Sequence, residues 1–133
     1  MGVFSTEIKR SNRLPSRLKI SFVIAVITIG YADGLPRCLS NGVGQVLVQG
    51  KKVPIVGRIC MDQALVDISE LEEDAVKTGD VVTLIGTDGN ETLTAADMAE
   101  AAGTITNEIL SRLGSRLERF ISVEKTPTSV SGE

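Results

Sequence analysis

One tyrosine stands in the whole chain, in the run Ile29-Gly30-Tyr31-Ala32-Asp33-Gly34-Leu35-Pro36-Arg37, directly after an apolar stretch. A phenol has a reference pKa of about 10, so it acts as a base near neutral pH only where cations stabilise the phenolate. Once deprotonated, it takes a proton from an acidic carbon. Arg37 and Arg58 are the candidate cations. The plainer role is a core ring whose hydroxyl bonds a backbone carbonyl, and composition alone favours it. A second run, Gly57-Arg58-Ile59-Cys60-Met61-Asp62-Gln63, offers a tight loop. A backbone N–H there can hold a carboxylate while Asp62 orients an arginine. A strand with a paired aspartate explains the same residues. Gly30, Gly34, Gly42 and Gly44 lack the spacing of a dinucleotide or phosphate loop, and no lysine follows where a P-loop needs one. They read as turn residues.

The elements that must position these groups are short. With 133 residues the chain has room for one domain with a real core. Tryptophan is absent and aromatics make up 3%, so Val, Ile and Leu must fill that core, which suits strands. A net charge of −3 gives no electrostatic case for nucleic acid. Lys9, Arg10, Arg13, Arg17 and Lys19 make the start basic, either as a solvated terminus or as an arm for phosphates or anionic lipid. Two separated cysteines, Cys38 and Cys60, with no histidine, argue against a zinc site and suit a reducing compartment. A disulfide between them remains open at this level. The apolar run Ile20–Ile29 after a basic region mimics a secretory signal. It is too short to span a bilayer as a helix and is rich in β-branched residues, so it reads as a buried strand.

Residues 1–16 show no clean periodicity and read as irregular; 18–30 form a long strand and 31–44 a loop. Strands follow at Gln45–Gln49, Val53–Val56, Ile59–Ile68 and Asp80–Gly86, with turns at Gly50-Lys51 and Asp88-Gly89-Asn90. Ala64, Val66 and Ile68 share one face. Residues 70–75 are a short helix or loop. Thr94-Ala95-Ala96-Asp97 has the spacing of a capping box and starts a helix that ends near Gly103. A second helix over 106–113 buries Ile109, Leu110 and Leu113. The Ser/Thr/Pro-rich tail over 122–133 reads as disordered. Strands do not alternate with helices, so the expected fold is mainly β: a small β-barrel with short helices near the C-terminus.

The two runs resemble, in order, the two signatures of the C-terminal domain of alanine racemases. The strand before the first run, Gly79-Asp80-Val81-Val82 to Ile85-Gly86, and Gly103-Thr104-Ile105-Thr106-Asn107-Glu108 fit the same family, and the similarity covers residues 23–121. It leaves 1–22 as a basic irregular segment and 122–133 as a tail.

The resemblance implies a racemase that uses pyridoxal 5′-phosphate and acts as a head-to-tail homodimer. An N-terminal barrel holds the cofactor through a lysine, and the C-terminal domain reaches into the partner subunit's site. Tyr31 then matches the catalytic tyrosine that exchanges the α-proton on one face of the substrate. Met61 matches the residue whose backbone N–H contacts the substrate carboxylate, with Asp62 beside it. Arg58 matches an arginine of the corridor by which substrate enters. The implied setting is cytoplasmic, with a small amino acid as substrate, no nucleic acid and no membrane contact by this domain.

Two departures stand out. The cofactor-binding barrel and its lysine motif are missing, so the chain is expected to be inactive alone. At position 107 the family usually carries a tyrosine that touches the cofactor phosphate and narrows the pocket, whereas this chain has Asn107. The same replacement resembles the membrane-bound serine racemases of vancomycin resistance (the VanT type), whose cytosolic portion is alanine-racemase-like. That implies serine or serine/alanine racemisation, for peptidoglycan precursors or vancomycin resistance, with Asn107 as a substrate and cofactor contact. The competing reading is a non-catalytic β-barrel binding module that uses Tyr31 and Arg37.

Overall fold

Runs of Val, Ile and Leu separated by glycine turns favour short, strongly paired strands. The computed structural model, which describes residues 4–14, 22–71 and 75–114, shows seven of them. They are β1 (Phe4–Leu14), β2 (Phe22–Ile27), β3 (Gln45–Val48), β4 (Lys51–Val56), β5 (Ala64–Asp67), β6 (Val81–Asp88) and β7 (Glu91–Leu93). Two helices follow, α1 (Ala95–Ala102) and α2 (Thr106–Ser111). Every strand pairing is antiparallel. The order β1-β2-β5-β4-β3-β6 closes on itself through a β1–β6 pairing, making a six-stranded barrel to which β7 adds a hairpin arm. The expected mainly β barrel with short helices near the end is the fold observed. Closure leaves the ring without open strand edges.

The core matches the composition. Ile27, Val46, Val48, Ile55, Val66, Val82 and Leu84 fill it from the strands, and Met98, Ala99 and Ile109 pack on it from the helices. Ala64, Val66 and Ile68 are all buried, as their shared face requires.

Several elements differ from the sequence expectation. The start is not irregular: β1 pairs with both β2 and β6 and closes the ring. The register with β2 shifts between Ile8 and Arg10, a bulge that interrupts the regular period of a strand. Of the long strand expected over 18–30, 22–27 is strand and 18–21 lie outside the described residues. Residues 59–63 are loop, because Gly57 at φ 66° turns the chain and the Cys60 N–H closes onto the Gln63 carbonyl at 2.9 Å. The β3–β4 turn is Gln49-Gly50, at φ 55° and 75°, one residue earlier than expected. Leu110 is not buried but 48% exposed, since α2 stops at Ser111 and turns only Ile109 fully inward. The tail over 122–133 and residues 72–74 lie outside the described residues.

The loop over 31–44 contains two 3-10 turns, Tyr31–Asp33 and Arg37–Leu39. The first rests against the loop after Gly57. A Cβ on Gly30 would collide with the Cys60 carbonyl oxygen and stand 2.5 Å from the Met61 carbonyl carbon. Both obstacles are backbone, so neither yields cheaply. Gly30→Ala is therefore expected to lose about 1–3 kcal/mol of stability through overpacking, read as a lower urea midpoint at unchanged m. A wild-type midpoint would refute the close approach.

The capping box at α1 is present as expected. The Thr94 hydroxyl accepts from the Asp97 N–H at 3.0 Å, and the Asp97 carboxylate accepts from the Thr94 N–H at 2.8 Å. The Thr94 backbone N–H, and after it the Thr94 side chain, hold the Asp97 carboxyl below its ordinary range. A depressed folded-state pKa contributes stability above the unfolded value and loses it as pH falls through the folded value. Thr94→Ala is expected to cost about 1 kcal/mol at neutral pH. Asp97→Asn should flatten the acidic limb of stability against pH, and an unchanged limb in urea titrations would contradict this.

Candidate active site

The end of β2 carries the chain into Gly30, and the first 3-10 turn then lifts Tyr31 to the surface. Its side chain is 46% exposed, not sealed in the core. Two backbone bonds dock this turn on the second run: the Tyr31 N–H donates to the Cys60 carbonyl at 3.0 Å and the Ala32 N–H to the Met61 carbonyl at 3.0 Å. The fold thus brings Tyr31 and the Met61-Asp62 loop together across 30 positions of sequence. Met61 is 57% exposed, and Asp62 and Arg58 are exposed as well. Among the described residues, no protein acceptor receives the Met61 N–H. That donor sits in the loop on which the tyrosine turn is docked.

A further set of bonds aligns the two runs. The buried Ser40 hydroxyl donates to the Arg37 carbonyl at 2.6 Å and accepts from the Ile59 N–H at 2.9 Å. The Asn41 N–H donates to the Gly57 carbonyl at 2.8 Å. Arg37 and Arg58 therefore belong to loops tied to each other, and each guanidinium group is in solvent.

An open cavity of about 500 Å³ lies beside Tyr31, with Arg37, Cys38, Thr104, Glu108 and Arg112 also in its wall. Within it the Glu108 carboxylate accepts from the Thr104 hydroxyl and pairs with Arg112 at 3.1 Å. Asn107 is exposed but lies outside this lining, because the inward side of α2 is set by Glu108, Ile109 and Arg112. Both cysteines are free and exposed, so they form no disulfide.

Sequence reasoning missed Asp33, Ser40, Thr104, Glu108 and Arg112. Asp33 had a signal: an acid three residues after the residue that begins a turn has the spacing that caps a turn's first N–H. Ser40 had none, since its partner Ile59 is distant in sequence. Thr104, Glu108 and Arg112 recur every four residues, which places them on one helical side, yet nothing local says that this side faces Tyr31.

Comparison with known proteins bears on this arrangement. The family profile described as "Alanine racemase, C-terminal domain" matches residues 16–121. An amino-acid racemase of Enterococcus faecalis is 55% identical over 95 residues, which cover 71% of this chain and 13% of that protein. An alanine racemase of Halothermothrix orenii is 50% identical over 96 residues, covering 72% of this chain and 24% of that one. The crystal structure of alanine racemase from E. faecalis superposes with a TM-score of 0.77 at 36% identity, over 86% of this chain and 32% of that one. Alanine racemase from Bartonella henselae, solved with covalently bound pyridoxal phosphate, gives 0.77 at 35% identity over 87% of this chain and 33% of that one. This chain thus spans a third or less of the length of the relatives it matches. Among the described residues no helix is long and apolar enough to cross a membrane. With both signatures on one barrel and a family match over most of its length, the chain belongs to the alanine racemase C-terminal domain family.

Proposed function

We propose that this domain completes the active site of a pyridoxal-phosphate-dependent amino-acid racemase, with Tyr31 as the acid–base group on one face of the substrate. The observation that carries the reading is the pairing of a half-exposed phenol with a Met61 N–H that has no acceptor among the described residues, fixed by the two backbone bonds to Cys60 and Met61. The Tyr31 oxygen takes or returns the proton at the substrate's α-carbon. The Met61 N–H holds the substrate carboxylate, and Asp62 and Arg58 flank the approach to it.

The cofactor itself needs a seat elsewhere. An aldehyde cofactor is tethered by a lysine amine, and among the described residues no lysine lines the cavity beside Tyr31. A phenol, two guanidinium groups and a carboxylate make one wall of such a site. A cofactor held by the barrel domain of such a racemase would supply the electron sink that acidifies the α-carbon. The exposure of Tyr31, Met61 (57%) and Ile105 (66%) supports a surface that another subunit covers, as in a homodimer.

The 133-residue chain mixed with cofactor and L-alanine is expected to form no D-alanine. In a full-length racemase that carries this domain, Tyr31→Phe should lower kcat by about 10²-fold or more. Turnover by the isolated chain, or full activity of the phenylalanine variant, would overturn the reading.

The finer reading is racemisation of serine as well as alanine. Asn107 is exposed, and among the described residues its amide makes no hydrogen bond, so its donor and acceptor are both open to a hydroxymethyl group. The E. faecalis relative carries the broader name of amino-acid racemase, and its matched share of 13% against 24% makes it far longer than the H. orenii enzyme, as extra domains would require. That supports a parent of the membrane-bound vancomycin-resistance type, with this domain on the cytosolic side. In the full-length protein, Asn107→Tyr is expected to reduce serine turnover relative to alanine by roughly 10-fold or more. An unchanged serine-to-alanine ratio of kcat/KM would reject the specificity role.

A further inference from the structure

Tyr31 projects from the surface, yet the turn beneath it is held on three sides. On the first, its own N–H and that of Ala32 are bonded to the Cys60 and Met61 carbonyls. On the second, Asp33 is fully buried and its carboxylate accepts from the Gly30 N–H at 3.0 Å. A carboxylate is tolerated at zero exposure only when hydrogen-bonded, so this contact is a strong restraint on where the turn begins. On the third, the segment after α2 crosses directly over the turn. The Gly114 N–H donates to the Asp33 carbonyl at 2.9 Å. A Cβ on Gly114 would stand 2.7 Å from the Ala32 carbonyl oxygen. A Cβ on Gly34, which adopts φ 109°, would stand 2.7 Å from the Arg112 carbonyl oxygen. The two chain segments approach this closely only because both crossing points are glycine.

We propose that Asp33, together with the crossing of Arg112–Gly114 over its turn, is a positioning device that fixes the direction of Tyr31. Asp33 touches no reacting atom in this arrangement; it acts through the tyrosine two residues earlier. The same crossing links Tyr31 to α2, so the wall of Glu108 and Arg112 and the phenol hold a constant relation. The relevance to catalysis rests on the reading of Tyr31 given above, whereas the positional claim does not.

Composition supplies a direct reporter. With one tyrosine and no tryptophan, tyrosine emission and the near-ultraviolet tyrosine dichroism of the chain belong to Tyr31 alone. The measurement is time-resolved anisotropy on the 133-residue chain for Asp33→Ala, Asp33→Asn and Gly114→Ala, with Thr94→Ala as a destabilised control remote from the turn. The expected result is a larger fast component and a weaker tyrosine dichroism band in Asp33→Ala and Gly114→Ala. Asp33→Asn, whose amide oxygen can still accept from Gly30, should change less than Asp33→Ala, and Thr94→Ala should be unchanged.

Wild-type anisotropy in folded Asp33→Ala and Gly114→Ala, or an equal change in Thr94→Ala, would overturn the proposal. Should Asp33→Ala fail to fold, Gly114→Ala carries the same decision. In the full-length racemase the expected split is a kcat lowered roughly 10- to 100-fold with little change in KM for Gly114→Ala. If the optical changes appear but Tyr31→Phe leaves racemisation intact, the catalytic reading falls while the positional one stands.

Discussion

The arrangement depends on the contact of one backbone with another where Gly30 meets Cys60 and Met61. Two N–H groups of the tyrosine turn find their acceptors on the second loop, each at 3.0 Å. Any side chain at position 30 would occupy the space those carbonyls need. Main-chain hydrogen bonds fix position far more tightly than side-chain packing, because neither partner has rotamers to exchange. The exposed phenol and the Met61 backbone therefore share one frame, although their residues lie at the ends of different strands.

The barrel is what allows that contact. β2 ends just before Gly30, and β5 begins just after Gln63 and pairs with β2 over Ile24–Ile27. The two functional runs are thus the loops at one end of a single antiparallel pair, brought side by side by its register. A slip of one residue in that register would turn Ala64, Val66 and Ile68 out of the core, so the apolar faces lock the pairing. β1 adds to the lock by closing the ring on the far side of β2.

How legible this was in the sequence depends on how local the information is. The capping box at Thr94, the turn at Gly89 and the inward face of Ala64, Val66 and Ile68 rest on neighbouring residues and were readable. β1 was not, because its register with β2 shifts partway along the strand and no single period of two runs through it. The Ile59–Ile68 stretch reads as one apolar run, but the turn set by Gly57 and by Cys60 bonding to Gln63 leaves strand only at Ala64–Asp67. At the site, the motifs supplied Tyr31 and the Met61-Asp62 loop. The cavity wall of Thr104, Glu108 and Arg112 arises from a helix docking that no local pattern announces.

An exposed tyrosine in a chain so poor in aromatics is itself informative about the forces at work. A buried ring would add to the core of a protein that has no tryptophan to fill it. The chain instead spends its main restraints on holding that ring outside, with a buried carboxylate and two glycine crossings beneath it. An apolar residue at position 33 would spare the desolvation of a carboxylate but leave the buried Gly30 N–H without its acceptor. Under the role proposed for Tyr31 the arrangement keeps the phenol fixed at the surface: the carboxylate ties the start of the turn to its end, and the crossing chain restrains the turn from rolling. Rigid placement matters most when the reacting partner arrives from another body and cannot adjust its own geometry to a wandering group.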